Sequence, residues 1–295
     1  MFAAAYAIAK NFTMPLIISY RKHSGVCEAA IGTMVIINED GWFVTAFHIF
    51  NEINKLANAV QEYNELISKR MQIEGNTQLK NHEKNKRLSS LKIPPESITN
   101  ISYLIGQNGW RLNPQAFVLQ EVDLAVGQIS NFDKNAVPIY PKFKNPVQPM
   151  EPGTSLCKLG FPFHVITPTF DAQTGFILPN GALPVPLFPI EGIFTRNVLV
   201  NTQNPVPHPL MYIETSSPGL RGQSGGPTFD VNGNIWAIQS STTSYKLGFG
   251  AQNSNGTTKE KEHLANQYFN VGLGIHAKTI VSFLTEKKVS FQFAT

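Results

Sequence analysis

Short apolar runs rich in β-branched residues recur along this 295-residue chain, and turn residues separate them. The clearest pair lies at residues 30–37 and 42–46, on either side of a turn that ends in Asp-Gly. Two apolar runs joined by such a turn predict a β-hairpin. Other segments with a strand pattern are residues 15–20, 101–105, 117–129 and much of 154–274. The pattern therefore predicts a chain built mainly from β-strands.

Two segments have a helical period instead. In residues 51–71 the apolar positions are spaced by three and four, which places them on one face of an amphipathic helix. These positions are Ile53, Leu56, Val60, Tyr63 and Ile67. Gly75 and Asn76 predict the end of this helix, and the polar stretch up to Ser90 is expected to be a surface excursion or a flexible loop. A second, terminal helix is predicted over residues 277–287.

Composition agrees with a β-rich protein and narrows the possible partners. The chain has 20 Pro and 22 Gly, and only 15% of its residues are charged, which favours many short elements and turns. Of its net charge of +4, residues 51–95 carry three charges. A nucleic-acid or membrane-binding surface would need a denser basic cluster, so neither partner is predicted. No stretch approaches the length of a transmembrane helix.

The cysteines and the N-terminus bear on the cellular compartment. Cys27 and Cys157 are the only cysteines, so no disulfide framework is implied, and two lone thiols are compatible with a reducing compartment. The apolar N-terminus has no positive residue ahead of it and is interrupted at Lys10, unlike a secretory signal peptide. We therefore expect a cytoplasmic protein whose N-terminus docks on the body as a strand or an arm.

A Pro-rich stretch divides the chain. Five prolines fall within residues 134–152, which predicts a linker between two domains. The first domain is expected to span residues 1–140, with an insertion at about 51–100. The second is expected to span residues 141–295.

Three residues in a fixed order carry the candidate chemistry. His48 follows a strand-like run, Asp123 lies between aliphatic residues, and Ser224 lies in a Gly-rich turn. A serine hydroxyl is a poor nucleophile at neutral pH and needs an adjacent base, which histidine supplies because its ordinary pKa lies near the working pH. A carboxylate fixes the ring tautomer and stabilises the imidazolium. Each residue alone could be structural, but the three together predict a Ser-His-Asp triad.

The backbone around Ser224 predicts a second catalytic feature. Glycines there let the chain approach a substrate closely, and the N–H groups of Gly222 and Ser224 are expected to form an oxyanion hole. The remaining histidines and the cysteines show no metal-ligand spacing, and no phosphate-binding Gly loop is evident. We therefore expect neither a metal nor a cofactor.

The motif at residues 222–226 also satisfies the Gly-x-Ser-x-Gly elbow of α/β-hydrolases. Those enzymes place the elbow between a strand and a helix, and their Asp and His follow the serine. Here a strand-like run with a turn follows Ser224, whereas His48 and Asp123 precede it. Chain order therefore favours a peptidase over a non-peptidase acyl hydrolase.

These motifs resemble those of the trypsin/chymotrypsin-like serine peptidase superfamily, especially bacterial trypsin-like peptidases and the protease domain of HtrA-like enzymes without a PDZ domain. The matching segments are residues 32–36, 42–48, 123–126, 222–227, 237–242 and 272–275. The resemblance covers most of residues 15–290 except the insertion. It implies an all-β fold of two six-stranded antiparallel β-barrels, with a helical, charged insertion and a C-terminal helix. It also implies that the triad lies in the cleft between the barrels.

The resemblance also implies a primary specificity pocket. Its expected lining residues are Pro218, Gln239, Thr242 and Gly272, and the pocket is expected to be neutral and partly polar. Pro218 stands where a carboxylate gives trypsin its preference for Lys and Arg, so that preference is not expected. Ser240 matches the serine that hydrogen-bonds the catalytic Asp. His276 is expected to have a structural or surface role.

Two departures from the family bear on regulation. Gln223 stands where trypsin-like zymogens have an Asp that pairs with a newly released N-terminus, so activation by N-terminal cleavage is not expected. The insertion at about 51–100 lies near the active-site rim, where it either gates substrate access, binds a regulatory protein partner or is a tolerated surface insertion. We expect a serine endopeptidase that acts on a protein or peptide substrate. The alternatives on the same fold are a pseudoprotease binding module and a partner-activated effector.

Overall fold

The computed structural model describes residues 1–106, 109–113, 115–201, 206–247 and 267–295. Within them, sixteen strands dominate and four α-helices are interspersed. The helices are α1 (Ala3–Ala9), α2 (Phe47–Gly75), α3 (Asn81–Ser89) and α4 (Ala277–Glu286). None of the helices in these ranges is both long and apolar enough to cross a membrane.

The first sheet is antiparallel and has six strands. They are β1 (Thr13–Lys22), β2 (Cys27–Ile36), β3 (Trp42–Ala46), β4 (Ile98–Ile105), β5 (Phe117–Leu119) and β6 (Leu124–Gln128), in the order β4-β1-β2-β3-β6-β5. Strands β2 and β3 form the predicted hairpin, with Val35 opposite Val44 and Ile36 opposite Phe43. Their inward-facing side chains are fully buried, as expected for alternating apolar positions on one face of a sheet.

The second sheet contains a closed ring of six strands. The ring runs β13-β8-β11-β12-β15-β14, and β13 pairs with β14 to close it. Its members are β8 (Ser155–Lys158), β11 (Ile190–Leu199), β12 (Met211–Thr215), β13 (Pro227–Phe229), β14 (Ile235–Lys246) and β15 (Tyr268–His276). Two short strands extend the second sheet beyond this ring. Strand β7 (Lys142–Phe143) pairs in parallel with β14, and β16 (Gln292–Phe293) pairs in parallel with β7. A separate hairpin joins β9 (Thr169–Asp171) to β10 (Gly175–Ile177). The expected mainly β architecture is confirmed, as a six-stranded antiparallel sheet followed by a sheet that contains a closed six-stranded barrel.

One apolar core extends through both sheets. It includes Phe43 of the first sheet, Phe229 of the second and Leu284 of α4, all essentially inaccessible to solvent. The helix α1 covers an edge of this core, and the ring of Phe2 packs against Phe229 at 6.3 Å between centroids. The N-terminal arm therefore docks as expected, but as a helix. The predicted terminal helix is confirmed as α4.

The insertion after β3 is more helical than the sequence predicted. The helix α2 ends at Gly75 as predicted but begins at Phe47, and only its first part is buried. Residues 81–89, expected to be an irregular surface excursion, form α3 because Glu83 Oε2 accepts a hydrogen bond from the Lys80 N–H at 3.0 Å. No residue of α3 is buried, so its expected surface position is confirmed and the irregular conformation is wrong.

Candidate active site

His48 lies at the junction between the first sheet and α2. Strand β3 ends at Ala46, and α2 begins at Phe47, so His48 occupies the first helical turn with a half-exposed side chain. Antiparallel pairing of β3 and β6 sets Ala46 opposite Leu124. Since Asp123 immediately precedes Leu124, this register brings the histidine and the aspartate together.

Asp123 interrupts the long strand that the sequence predicted over residues 117–129. A single 3₁₀ turn follows β5, and Asp123 then adopts a left-handed conformation with φ of 59° before β6 begins. Aspartate tolerates this region better than most residues because its short side chain bonds locally. The turn aims the carboxylate at α2, where Oδ1 accepts the His48 backbone N–H at 2.8 Å and Oδ2 accepts the ring Nδ1–H at 2.9 Å.

A third donor reaches the same carboxylate from the second sheet. The Ser240 hydroxyl donates to Asp123 Oδ2 at 2.6 Å. Ser240 lies at a bulge in β14, where the pairing steps from Gln239 opposite Gly274 to Ser241 opposite Leu273, and such bulges redirect side chains. Burial alone would raise the pKa of Asp123, but the hydrogen bonds from His48 and Ser240 outweigh it and hold the pKa below its ordinary value. The carboxylate is therefore ionised at neutral pH.

The loop that carries Ser224 is held by backbone contacts with both sheets. The Thr33 N–H donates to the Ser224 carbonyl at 2.9 Å, and the Gly225 N–H donates to the Gln239 carbonyl at 2.7 Å. Gly225 has φ of +83°, and a Cβ there would fall on the Thr33 carbonyl and the Thr45 hydroxyl. Only glycine fits between these strands.

Ser224 and the His48–Asp123 pair meet through Ser240. The Ser224 hydroxyl donates to the Ser240 carbonyl at 3.3 Å, while the Ser240 hydroxyl binds Asp123. Within the described chain, Ser224 makes no hydrogen bond with the His48 ring. The three predicted catalytic residues thus share one network, with the serine directed at Ser240.

Two backbone N–H groups of the serine loop have no hydrogen-bond acceptor within the described part of the chain. Neither Gly222 N–H nor Ser224 N–H donates to another described residue. The Gly222 carbonyl is fixed by the Phe161 N–H at 3.1 Å and the Thr33 hydroxyl at 2.7 Å. This arrangement leaves both N–H groups available to a bound oxygen.

Gln223 is completely buried and braces the same loop. Its Oε1 accepts the Leu220 N–H at 3.1 Å, and its Nε2 donates to the Phe188 carbonyl at 3.3 Å. A neutral amide thus makes both contacts without a counter-ion.

The predicted pocket residues lie together beside Ser224. Thr242 of β14 is opposite Gly272 of β15, and the Thr242 hydroxyl accepts the Gly219 N–H at 2.9 Å and donates to its carbonyl at 2.8 Å. The Gln239 amide lies against Gly219 and donates to the carbonyls of Ser241 and Leu273. Its Oε1 is buried without a hydrogen-bond partner.

Sequence reasoning missed Lys158, which adds a titratable group to a pocket expected to be neutral. Its side chain leaves β8, and Nζ donates to the Ser217 carbonyl and, at 3.1 Å, to the Pro218 carbonyl. A Cβ on Gly272 would fall on Nζ. Burial lowers the pKa of Lys158 from 10.5 to about 7. The available signal was a lysine in an otherwise apolar strand, since lysine is rarely buried.

Sequence reasoning also missed a groove that begins at Gly222 and follows the first half of β2. Its other wall is the loop that carries Phe161, Phe163 and Val165. Phe163 and Val165 are exposed, so the groove presents apolar side chains to solvent. His276, in contrast, has the expected structural role, because its Nδ1 accepts the Lys278 N–H at 2.8 Å at the start of α4.

Comparison with known proteins places most of the chain in one sequence family. Residues 32–238, which include His48, Asp123 and Ser224, match the trypsin-like peptidase domain. No curated protein matches the chain significantly. Among solved structures, the active form of the Rv3671c protease from M. tuberculosis is 12% identical with a TM-score of 0.48, over 98% of this chain and 86% of that one. The inactive form is also 12% identical, with a TM-score of 0.44 over 96% and 91%.

Proposed function

This chain belongs to the trypsin-like peptidase family, and from that premise we propose that it is a serine endopeptidase with Ser224 as its nucleophile. The observation that carries the proposal is the continuous set of hydrogen bonds from His48 through Asp123 and Ser240 to Ser224. His48 is the general base and then the general acid, and Asp123 orients it.

Acylation begins with the proton of Ser224. Asp123 holds the His48 Nδ1–H, which leaves Nε2 free to accept the hydroxyl proton. For this step the Ser224 hydroxyl turns from the Ser240 carbonyl toward the ring, a small rearrangement of the kind common on substrate binding. Oγ then bonds to the substrate carbonyl carbon. As the carbon–nitrogen bond breaks, His48 returns the proton to the leaving amine.

The developing oxyanion is bound by the N–H groups of Gly222 and Ser224. Both are without a protein acceptor, which supports this role. A preorganised donor of this kind contributes about 3 to 4 kcal/mol to transition-state stabilisation. Water, deprotonated by His48, then attacks the acyl-enzyme and releases the acid product with Ser224 regenerated.

The substrate is a protein or a peptide. The groove along β2 begins at the oxyanion donor Gly222 and is long enough to involve fifteen residues. A groove on that side of the nucleophile suits the segment of a polypeptide that follows the cleaved bond. An ester with a small alcohol would leave it empty.

Activation needs no new N-terminus. The Gln223 amide satisfies its loop contacts through Leu220 and Phe188, where a buried carboxylate would require a cation. The enzyme is therefore competent without proteolytic trimming of the N-terminal arm.

A partner-activated enzyme is the second candidate, favoured by the orientation of Ser224 toward Ser240. His48 lies in the first turn of α2, whose later turns and the following α3 are largely exposed. A protein that binds residues 51–100 would therefore act on the helix that carries the catalytic base. Its binding would favour the hydrogen bond between Ser224 and His48.

A fluorophosphonate probe tests the proposal. We expect it to label the wild-type protein, and to label neither Ser224→Ala nor His48→Ala. Cleavage of a peptide library then separates a peptidase from an esterase. If the folded protein is not labelled in the absence of a partner, the endopeptidase that is active by itself is contradicted. If it is not labelled in the presence of a partner either, the partner-activated enzyme is contradicted as well.

A further inference from the structure

Lys158 is a buried cation without an acidic partner. Its relative exposure is 1%, and Nζ donates only to the carbonyls of Ser217 and Pro218 among the described residues. An ammonium has three donors, so one remains unused. Lysine is almost never fully buried unless it is paired, because an uncompensated charge in the interior is costly.

The unused donor lies at the wall of the specificity pocket. Both Pro218 and Gly272 were predicted to line this pocket, and the ammonium contacts the first and lies directly behind the second. Because Gly272 has no side chain, nothing from that residue separates Nζ from the pocket. Burial alone lowers the pKa of Lys158 to about 7, so a substantial share of the protein carries the charge near neutral pH.

The surrounding side chains offer no carboxylate to Lys158. On the paired strand β11, Glu191 lies opposite Cys157 and is exposed. On β12, Glu214 is engaged by Arg196 at 2.9 Å and by the Tyr245 hydroxyl at 2.7 Å. Arg221, which lines the groove along β2, is exposed and makes no ion pair with any described residue. The charge of Lys158 is therefore not balanced by a carboxylate of the described residues.

We infer that Lys158 determines specificity and that the pocket prefers an acidic side chain, Glu or Asp, immediately before the cleaved bond. The inference rests on the proposed peptidase function and names its substrate class. The substrate carboxylate accepts the ammonium donor that Lys158 does not use on the Ser217 and Pro218 carbonyls. The ion pair supplies the compensation that the chain itself lacks.

The inference can be tested with two peptides that differ only in having Glu or Gln immediately before the cleaved bond. The two side chains have nearly the same size, so the comparison isolates the effect of the negative charge. We expect kcat/KM for the Glu peptide to exceed that for the Gln peptide at least tenfold, because hydrogen bonds between charged groups contribute about 1.5–3 kcal/mol. In Lys158→Met, a substitution of similar length without the charge, the ratio is expected to fall to about one. Equal rates in the wild type overturn the inference. A ratio unchanged in Lys158→Met does so too, since a purely structural role would slow both peptides alike.

A binding measurement separates this inference from the proposed function. In Ser224→Ala protein, calorimetry compares the two peptides without any chemistry, and we expect the Glu peptide to bind about tenfold more tightly. Equal affinities overturn the inference, whereas a failure of fluorophosphonate to label Ser224 contradicts the proposed function and leaves the binding result standing.

A second variant covers the case in which Lys158→Met does not fold. Pro218→Asp adds a carboxylate to the same pocket, at the residue whose carbonyl accepts from the ammonium. It is expected to pair with the ammonium and to lower the Glu-to-Gln ratio at least tenfold. An unchanged ratio in this variant contradicts the inference.

Discussion

Two neighbouring regions along β14 differ in how their polar groups are satisfied. On one side, the Asp123 carboxylate receives three hydrogen bonds, two from His48 and one from Ser240. On the other, Gln239 Oε1 and Ser217 Oγ are buried without a hydrogen-bond partner among the described residues, and none of these residues offers Lys158 a carboxylate. Buried polar groups are normally satisfied. The chain therefore satisfies the Asp123 carboxylate by itself, whereas the predicted pocket beside it has donors and acceptors left for a ligand.

The largest expected effect comes from removing the proposed nucleophile or the proposed base. Ser224→Ala and His48→Ala are each expected to lower kcat by about 10⁴- to 10⁶-fold, because nucleophile and base act as one unit. Steady-state kinetics on a cleaved peptide measures this loss. His82→Ala, which removes an exposed histidine in α3, is the matched control and should retain full activity. A His48→Ala enzyme as active as the control would remove His48 from the mechanism.

Gly225 tests whether the serine loop depends on its close packing against the first sheet. Gly225→Ala is expected to lower the free energy of unfolding by about 2–4 kcal/mol, because the added Cβ meets Thr33 and Thr45 in a left-handed conformation. Gly153→Ala has a similar φ of +91° with no atom within 4 Å, and should lose only about 1–2 kcal/mol. Denaturant unfolding compares the two. Equal losses would show that backbone strain, not the contact between the sheets, sets the cost.

The link between the two regions is Ser240. Ser240→Ala removes the donor at 2.6 Å from Asp123, and we expect kcat/KM to fall about tenfold to a hundredfold, since hydrogen bonds to charged groups contribute about 1.5–3 kcal/mol. Ser244→Ala, further along the same strand, is the control. If both variants keep wild-type kcat/KM, Asp123 is oriented by His48 alone.

The smallest expected effect is a pH dependence of stability that arises in the pocket. The folded-state pKa of Lys158 is about 7 and its ordinary value is 10.5, so the unfolded chain binds more protons between these values. The free energy of unfolding should therefore rise with pH in this window, by on the order of 1 kcal/mol from pH 8 to pH 9. Denaturant unfolding of Lys158→Met at both pH values should lack this rise. An identical rise in the variant would assign it to other groups.

The arrangement of the proposed catalytic residues could be predicted in part, because they lie in short local motifs. His48 and Ser224 each stand in a recognisable segment, and the hairpin of β2 and β3 follows from alternating residues and an Asp-Gly turn. The break at Asp123 was missed because the apolar run of residues 117–129 is continuous, and only the left-handed turn at Asp123 interrupts it.

The pocket could be predicted only in part, because its contacts join distant strands. Lys158 on β8 meets Pro218 and Gly272 through folding alone, and no local motif announces that meeting. The same limit applies to α3, which depends on a hydrogen bond between Lys80 and Glu83 within a segment of low apolar content. Local motifs therefore predict the candidate catalytic residues, whereas the other side chains around them depend on contacts between distant parts of the chain.

Detection of the covalent intermediate tests directly whether Ser224 is the nucleophile. The protein is mixed with an activated peptide ester, quenched in acid within milliseconds and digested for mass spectrometry. The proposed mechanism requires one acyl adduct on Ser224 that forms and decays at the rate of turnover and is missing in Ser224→Ala. An adduct on another residue, or undiminished peptide cleavage by Ser224→Ala, would contradict it.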